Sequence, residues 1–334
     1  VTHDEPTATG VGQANGKAIL LGEHAVIYGA PALAIGIGLG AQAWSRALGH
    51  GPNRLLVRRW NVTVDENDDE CDLARAFRAV LASVRRQVPG FGPHAVEVEV
   101  YLPPQSGLGC SAAIGVAVAR ALDRPAHEDV LQERAMEWER VFHGNPSGVD
   151  AAVAARGGCL WFQRGAIEHV HLAEPVWLCI GHTGTVSSTK AMVEATLELR
   201  ARDPKAVNES FDGIASLVRD ARRAIETGDH IVLGHRMNDA QSMLRALLLS
   251  TPRIERMCTL ARSAGALGAK LTGAGGGGSV VALAPDALVA DAIVAEWTKS
   301  GYRGFATCVA DNSRRPAFAR DEVPPTSLLS TGGP

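Results

Sequence analysis

The chain has 334 residues, 46% of them apolar, which is enough for two domains of ordinary size with buried cores. A formal charge of -3, a pI near 6.4 and the lack of any dense Lys/Arg run argue against nucleic acid or an anionic membrane as partner. Six cysteines without CxxC spacing argue against a zinc site or a disulfide framework and fit a reducing cytoplasm, so the expected partner is a small molecule.

The N-terminal VTHDEPTATGVGQ lacks the basic-then-apolar layout of a signal peptide, and no apolar stretch reaches membrane-spanning length. Residues 17–21 and 32–47 read as apolar, glycine-punctuated strands, 54–64 as a strand, and 94–101 as a strand of period two. Between them 72–88 is an amphipathic helix behind the acidic run 65–70, which suits a helix N-terminus. Helices are predicted at 111–123 and 127–143, then short strands at 157–163 and 176–182. After a local break at Glu174 and Pro175 come helices at 188–201, 205–227, 229–249 and 252–264. A strand, glycine loop, strand, helix and strand then fill 269–310. The expected organisation is a domain over 1–174, a second over 175–311, and a loosely packed or disordered tail over 312–334.

Four segments carry chemistry. The first, GKAILLGEHAVIYG at 16–29, fails the P-loop pattern because Val11 and Ala18 stand where a glycine and a hydroxyl are required. Lys17 in its apolar strand is either an edge charge reaching water or a cation aimed into a cleft, and the nearby Glu23 and His24 favour the cleft. The second, PPQSGLGCSAA at 103–113, runs from glycines straight into a helix. It is either a tight turn or a phosphate cradle, in which Gly107 and Gly109 allow close backbone approach and the helix N-terminus favours an anion. Ser111 there is a capping hydroxyl, a magnesium ligand, or both.

The third segment, ERVFHGNPSGVD at 139–150, must break its helix before Pro146, and Ser147 is placed to cap a new one. Asp150 then fits the spacing of a capping box, and Glu139 could be one more charge on a solvated face beside Glu133 and Glu137. The fourth, KLTGAGGGGS at 270–279, has GxGxxG spacing at Gly273, Gly275 and Gly278. The residues after it read as a strand, so a Rossmann fold fails, leaving a nucleotide-covering loop or a bulged hairpin.

These four segments, in this order, resemble the signatures of the GHMP kinase superfamily over nearly the whole chain, and most closely those of its mevalonate kinases. HGNPSGVD is the most specific of them. Homoserine kinases lack its aspartate, and Ala25 and Val26 stand where galactokinases have Thr-Asp. The resemblance implies an α/β and α+β two-domain fold, with an N-terminal domain like ribosomal protein S5 domain 2 and a ferredoxin-like C-terminal domain. It implies ATP and Mg2+ as cofactors and phosphorylation of the C5 hydroxyl of (R)-mevalonate. By motif position Asp150 looks like the general base and Lys17 like the catalytic lysine, while Ser111 and Glu139 look like magnesium ligands. Glu23, His24 and Thr189 fall on the substrate side, and Arg164 offers a fork for the substrate carboxylate. Pro104, Ser106, Gly107, Leu108, Gly109, Cys110 and Ser111 match the nucleotide cradle, joined by Gly273 and Gly275. Cys110 stands where the family usually has serine, and a thiol at a helix N-terminus is expected to titrate low and to react with alkylating agents. A cytoplasmic enzyme, with a homodimer admissible, completes the expectation. Two alternatives stay open: another GHMP small-molecule kinase such as a phosphomevalonate kinase, and a non-catalytic ligand sensor of the same fold.

Overall fold

The computed structural model describes residues 10–103, 106–144, 146–186 and 188–311, so the predicted tail at 312–334 and Pro104 lie outside the described residues. Strand β1 (Gly10–Leu21) pairs antiparallel with β2 (Ala32–Ala47) along most of its length. The two halves of β2 find different partners: Ala32 to Ile35 pair with β6 (Cys159–Gln163), and Ala41 to Ala47 with β5 (His94–Val100). With β3 (Arg54–Val57), β4 (Val62–Asp65) and β7 (Ala166–Val170) this makes a seven-stranded sheet. Its register slips between Asn15 and Gly16, where Gly38 and Leu39 are extra residues on β2. Lys17 follows directly on β1.

Helices α1 (Asp72–Gln87), α2 (Cys110–Leu122), α3 (Glu128–His143) and α4 (Val149–Arg156) pack together, with α2 directly on β1. Their approach is close because both surfaces are small. A Cβ on Gly12 would overlap the Ala117 carbonyl, so the alanine-rich α2 sits almost backbone to backbone on the strand. That contact explains why β1 already runs through Gly10 and Gly12, ahead of the strand predicted from residue 17.

Two further differences have local causes. The strand predicted over 54–64 is a hairpin, reversed by a 3-10 turn at Arg58–Trp60 with Asn61 at φ 50. Strand β7 escaped the sequence because, apart from Val170, its side chains are largely exposed and it pairs only with β6.

The second sheet holds β8 (Val176–His182), β9 (Gly268–Thr272), β10 (Ser279–Ala284) and β11 (Arg303–Val309) in the order β11-β8-β10-β9. Every pairing in it is antiparallel. Between β8 and β9 run α5 (Thr189–Arg202), α6 (Pro204–Thr227), α7 (His230–Ala246) and α8 (Pro252–Ser263), and α9 (Ala287–Lys299) joins β10 to β11. This is the ferredoxin-like βαββαβ order, with α5 to α8 in place of the first helix. One contiguous apolar core runs through both sheets, from Ala14 and Leu20 to Leu271 and Val309.

Helix α7 ends in a Schellman motif: the Leu249 N–H reaches the Leu244 carbonyl at 3.0 Å, and Leu248 takes the left-handed position at φ 60. A leucine there costs about 1–2 kcal/mol, and its side chain recovers little because it is 74% exposed. Leu248→Asn should therefore raise Tm by roughly 1–3 °C in a thermal melt. An unchanged or lower Tm would count against strain at this turn.

Candidate active site

Lys17 on β1 points inward, its side chain only 4% exposed. Its ammonium donates to the Gly107 carbonyl at 2.9 Å and lies 3.3 Å from Asp150 Oδ1. The Lys17 backbone N–H donates to the Leu108 carbonyl at 2.9 Å, so the lysine is tied to the 103–113 loop through both main chain and side chain. Gly109 caps α2 at φ 73, and a Cβ there would sit 3.1 Å from Lys17 Cγ and 3.7 Å from Asp150 Oδ2. Only glycine fits both the backbone angle and the space. The capping-box reading of Asp150 fails, because the N-cap of α4 is Gly148, with no side-chain cap. Asp150 sits in the first turn of α4 with its carboxylate on Lys17.

Ser111 is likewise not a cap, since Gly109 holds that position without a side-chain bond. Its Oγ accepts from the Trp138 indole N–H at 3.1 Å. Glu139 is buried, unlike the exposed Glu133, which removes the solvated-face reading. Burial pushes its carboxyl up to about 7, opposed by a hydrogen bond from Ser111, reinforced by Asp150 and opposed again by Lys17. Its Oε1 has no hydrogen-bond partner. A buried, orphaned carboxylate oxygen beside a hydroxyl suits a hard cation. Among the described residues no three His, Cys, Asp or Glu side chains are grouped so as to hold a metal ion by themselves.

The two glycine loops meet. Loop 273–278 closes the β9–β10 hairpin, so the hairpin reading holds, and a Cβ on Gly273 would lie 3.4 Å from Gly107 Cα. Ser279 Oγ donates to the Ser106 carbonyl at 2.8 Å. Gly275 packs against the Leu249 carbonyl at the end of α7. Ser106 and Leu108 are buried under the loop.

The residues predicted for the substrate side separate. Glu23 is fully buried and its carboxylate is engaged by Lys270 of β9. His24 forms a γ-turn at φ 57 and ψ -49, with the Ala25 N–H on the Glu23 carbonyl at 2.6 Å. Its ring joins three segments: Nε2 meets the Ala274 carbonyl at 2.8 Å and Nδ1 meets Thr196 Oγ1 of α5 at 3.1 Å. Burial lowers its pKa, against the Ala274 bond, and this favours the neutral Nε2–H tautomer. Thr189 is exposed at the first turn of α5. Arg164 is exposed at the tip of the β6–β7 hairpin with φ 51, its guanidinium beside Gly29.

Sequence reasoning missed Trp138, Thr196, Lys270 and Thr272. A signal existed for Lys270, which stands in the apolar strand GAKLT, and a lysine buried there requires a partner.

The expectation for Cys110 is reversed. Burial is the main cause that pushes its thiol up to about 12, and Glu139 adds to it, outweighing the helix N-terminus. At pH 7.5 this holds it in the thiol form, which is not the nucleophile. Iodoacetamide followed by peptide mass spectrometry should leave Cys110 unmodified while a free thiol reacts. Labelling at the free-thiol rate would overturn this.

A ferredoxin-like domain beside an α/β domain, with a lysine–aspartate pair on a glycine loop at a helix N-terminus and a second glycine loop near it, defines a GHMP kinase. The family models agree: residues 73–158 match the GHMP kinases N terminal domain and 221–303 the GHMP kinases C terminal domain. The chain is 34% identical to the mevalonate kinase of Aeropyrum pernix and 32% identical to that of Thermococcus onnurineus, each over 90% of this chain and 96% of the relative. Its structure resembles L. major mevalonate kinase in complex with R-mevalonate, at 27% identity and a TM-score of 0.79, over 91% of this chain and 96% of that one. The chain therefore belongs to the mevalonate kinase family of the GHMP kinases.

Proposed function

We propose that this chain transfers the terminal phosphoryl group of ATP to the C5 hydroxyl of (R)-mevalonate, giving 5-phosphomevalonate for isoprenoid precursor synthesis. The observation that carries the chemistry is the Lys17–Asp150 pair, 3.3 Å apart at the mouth of the 103–113 loop. An alcohol is a weak nucleophile, so Asp150 accepts its proton as the bond to phosphorus forms. The Lys17 ammonium, held by the Gly107 carbonyl, keeps Asp150 ionised and stabilises charge developing on the transferred group. The N-terminus of α2 supplies backbone donors and dipole for phosphate.

Ser111 and Glu139 would hold Mg2+, which when bound neutralises phosphate charge. His24 and Thr189 line the substrate side in this reading, and Arg164 meets the substrate carboxylate. Glu23 lies on the same side, with one oxygen of its carboxylate held by Lys270. The nucleotide is covered by Gly273 and Gly275. A cytoplasmic location belongs to the same reading, supported by six free thiols. No helix among the described residues is long and apolar enough to cross a membrane.

A coupled ADP-release assay with mevalonate, phosphomevalonate, homoserine and galactose tests the proposal. Turnover should depend on mevalonate and on added magnesium. Preference for phosphomevalonate would move the substrate, and no turnover with any of them would leave a ligand sensor.

A further inference from the structure

Strand β1 carries Lys17 and strand β9 runs into the second glycine loop, yet they belong to different sheets. Two side chains of β9 join them. The Thr272 hydroxyl accepts the Ile19 backbone N–H at 2.8 Å and donates to the Ile19 carbonyl at 3.2 Å, so one side chain satisfies both polar groups of that residue. Two positions earlier, on the same face of the strand, Lys270 pairs with Glu23. Thr272, Lys270 and Glu23 are all buried.

We propose that Thr272 and Lys270 are positioning residues for phosphoryl transfer, holding the Lys17 strand in register with the 273–278 loop. Ile19 is two residues from Lys17 and Thr272 is next to Gly273, so the hydroxyl ties the lysine strand to the start of the loop. Gly107, which accepts from Lys17, faces Gly273 across a space that a single added methyl group would fill. The hydroxyl serves the Ile19 backbone and not the packing of β9 itself. Valine has nearly the same shape and a high strand propensity, and it carries no polar group to bury. What valine cannot do is satisfy Ile19, whose backbone groups would then have to shift to find partners. A shift of about 1 Å at a reacting group can cost on the order of a hundredfold in rate.

This inference rests on the assignment of Lys17 to the reaction, and its test separates the two. For Thr272→Val, kcat should fall by about 10- to 100-fold with KM for ATP and mevalonate within about threefold, and Thr272→Ser should restore kcat to within about threefold of the parent. Hydrogen exchange at the Ile19 amide should quicken in Thr272→Val and be normal in Thr272→Ser. Parental kcat in Thr272→Val, an equal loss in Thr272→Ser, or a loss confined to KM would overturn the proposal. The Ile19 exchange needs no turnover, so it tests the clamp even if mevalonate is not the substrate, and unchanged exchange would refute it. If Thr272→Val does not fold, the pair Glu23→Gln/Lys270→Met removes the second clamp without stranding a charge. That double variant should lower kcat about tenfold at unchanged KM, and parental kcat there would overturn the role of Lys270.

Discussion

Asp150→Asn should lower turnover by about 10²- to 10⁴-fold while leaving KM for ATP within a few fold. The amide keeps the shape of the carboxylate at the start of α4 but cannot accept the proton of the substrate hydroxyl. Lys17→Met should cause a loss of the same order, because Asp150 would lose its cation and the Gly107 carbonyl its donor. The double variant should be little worse than either single one, since the two groups act as a unit. Steady-state ADP release, with a thermal melt to verify folding, decides the matter. An Asp150→Asn enzyme within threefold of the parent would remove the base from the mechanism.

The second large effect is on stability. Glu23 and Lys270 form a fully buried ion pair across the two sheets, in which burial pushes the carboxyl up and the ammonium down, each opposed by the other. Lys270→Met leaves Glu23 as a buried group without its cation and should cost about 3–5 kcal/mol. Adding Glu23→Gln should recover a large part of that, because the unpaired charge is gone. The pH dependence has a defined sign. Without Lys270 the folded pKa of Glu23 lies further above its unfolded value, so the folded state binds the extra proton and stability falls as pH rises between the two values. Denaturant melts of Lys270→Met from pH 5 to 8 should show a deficit that grows with pH. A flat deficit would mean that packing and not charge dominates.

Much of the fold was legible along the chain because its elements obey local rules. The 72–88 helix was predicted from its amphipathic spacing and forms at Asp72–Gln87, and the βαββαβ order of the second sheet follows from alternating apolar runs and glycine breaks. Strand β7 and the 58–60 reversal were not legible, since neither has the apolar pattern that a buried element imposes. In the site, the motifs located Lys17, Ser111, Glu139 and Asp150, but local spacing favoured bland roles for two of them. Capping boxes and solvated helix faces are common, and only neighbours from other elements exclude them here: Lys17 beside Asp150, and Trp138 beside Ser111 next to Glu139.

By itself the sequence determined the family, the two glycine loops and the residue types that phosphoryl transfer requires, because these depend on chain chemistry and short spacings. The tertiary structure decided which side chains meet and how much water they keep. It pushed the Cys110 thiol up to about 12, chiefly by burial, where a helix N-terminus alone would lower it. It set Lys270 against the Glu23 carboxylate, 247 residues further along the chain. A charge so deeply buried must be paired, and its partner is set by how the two sheets dock, which local sequence does not encode.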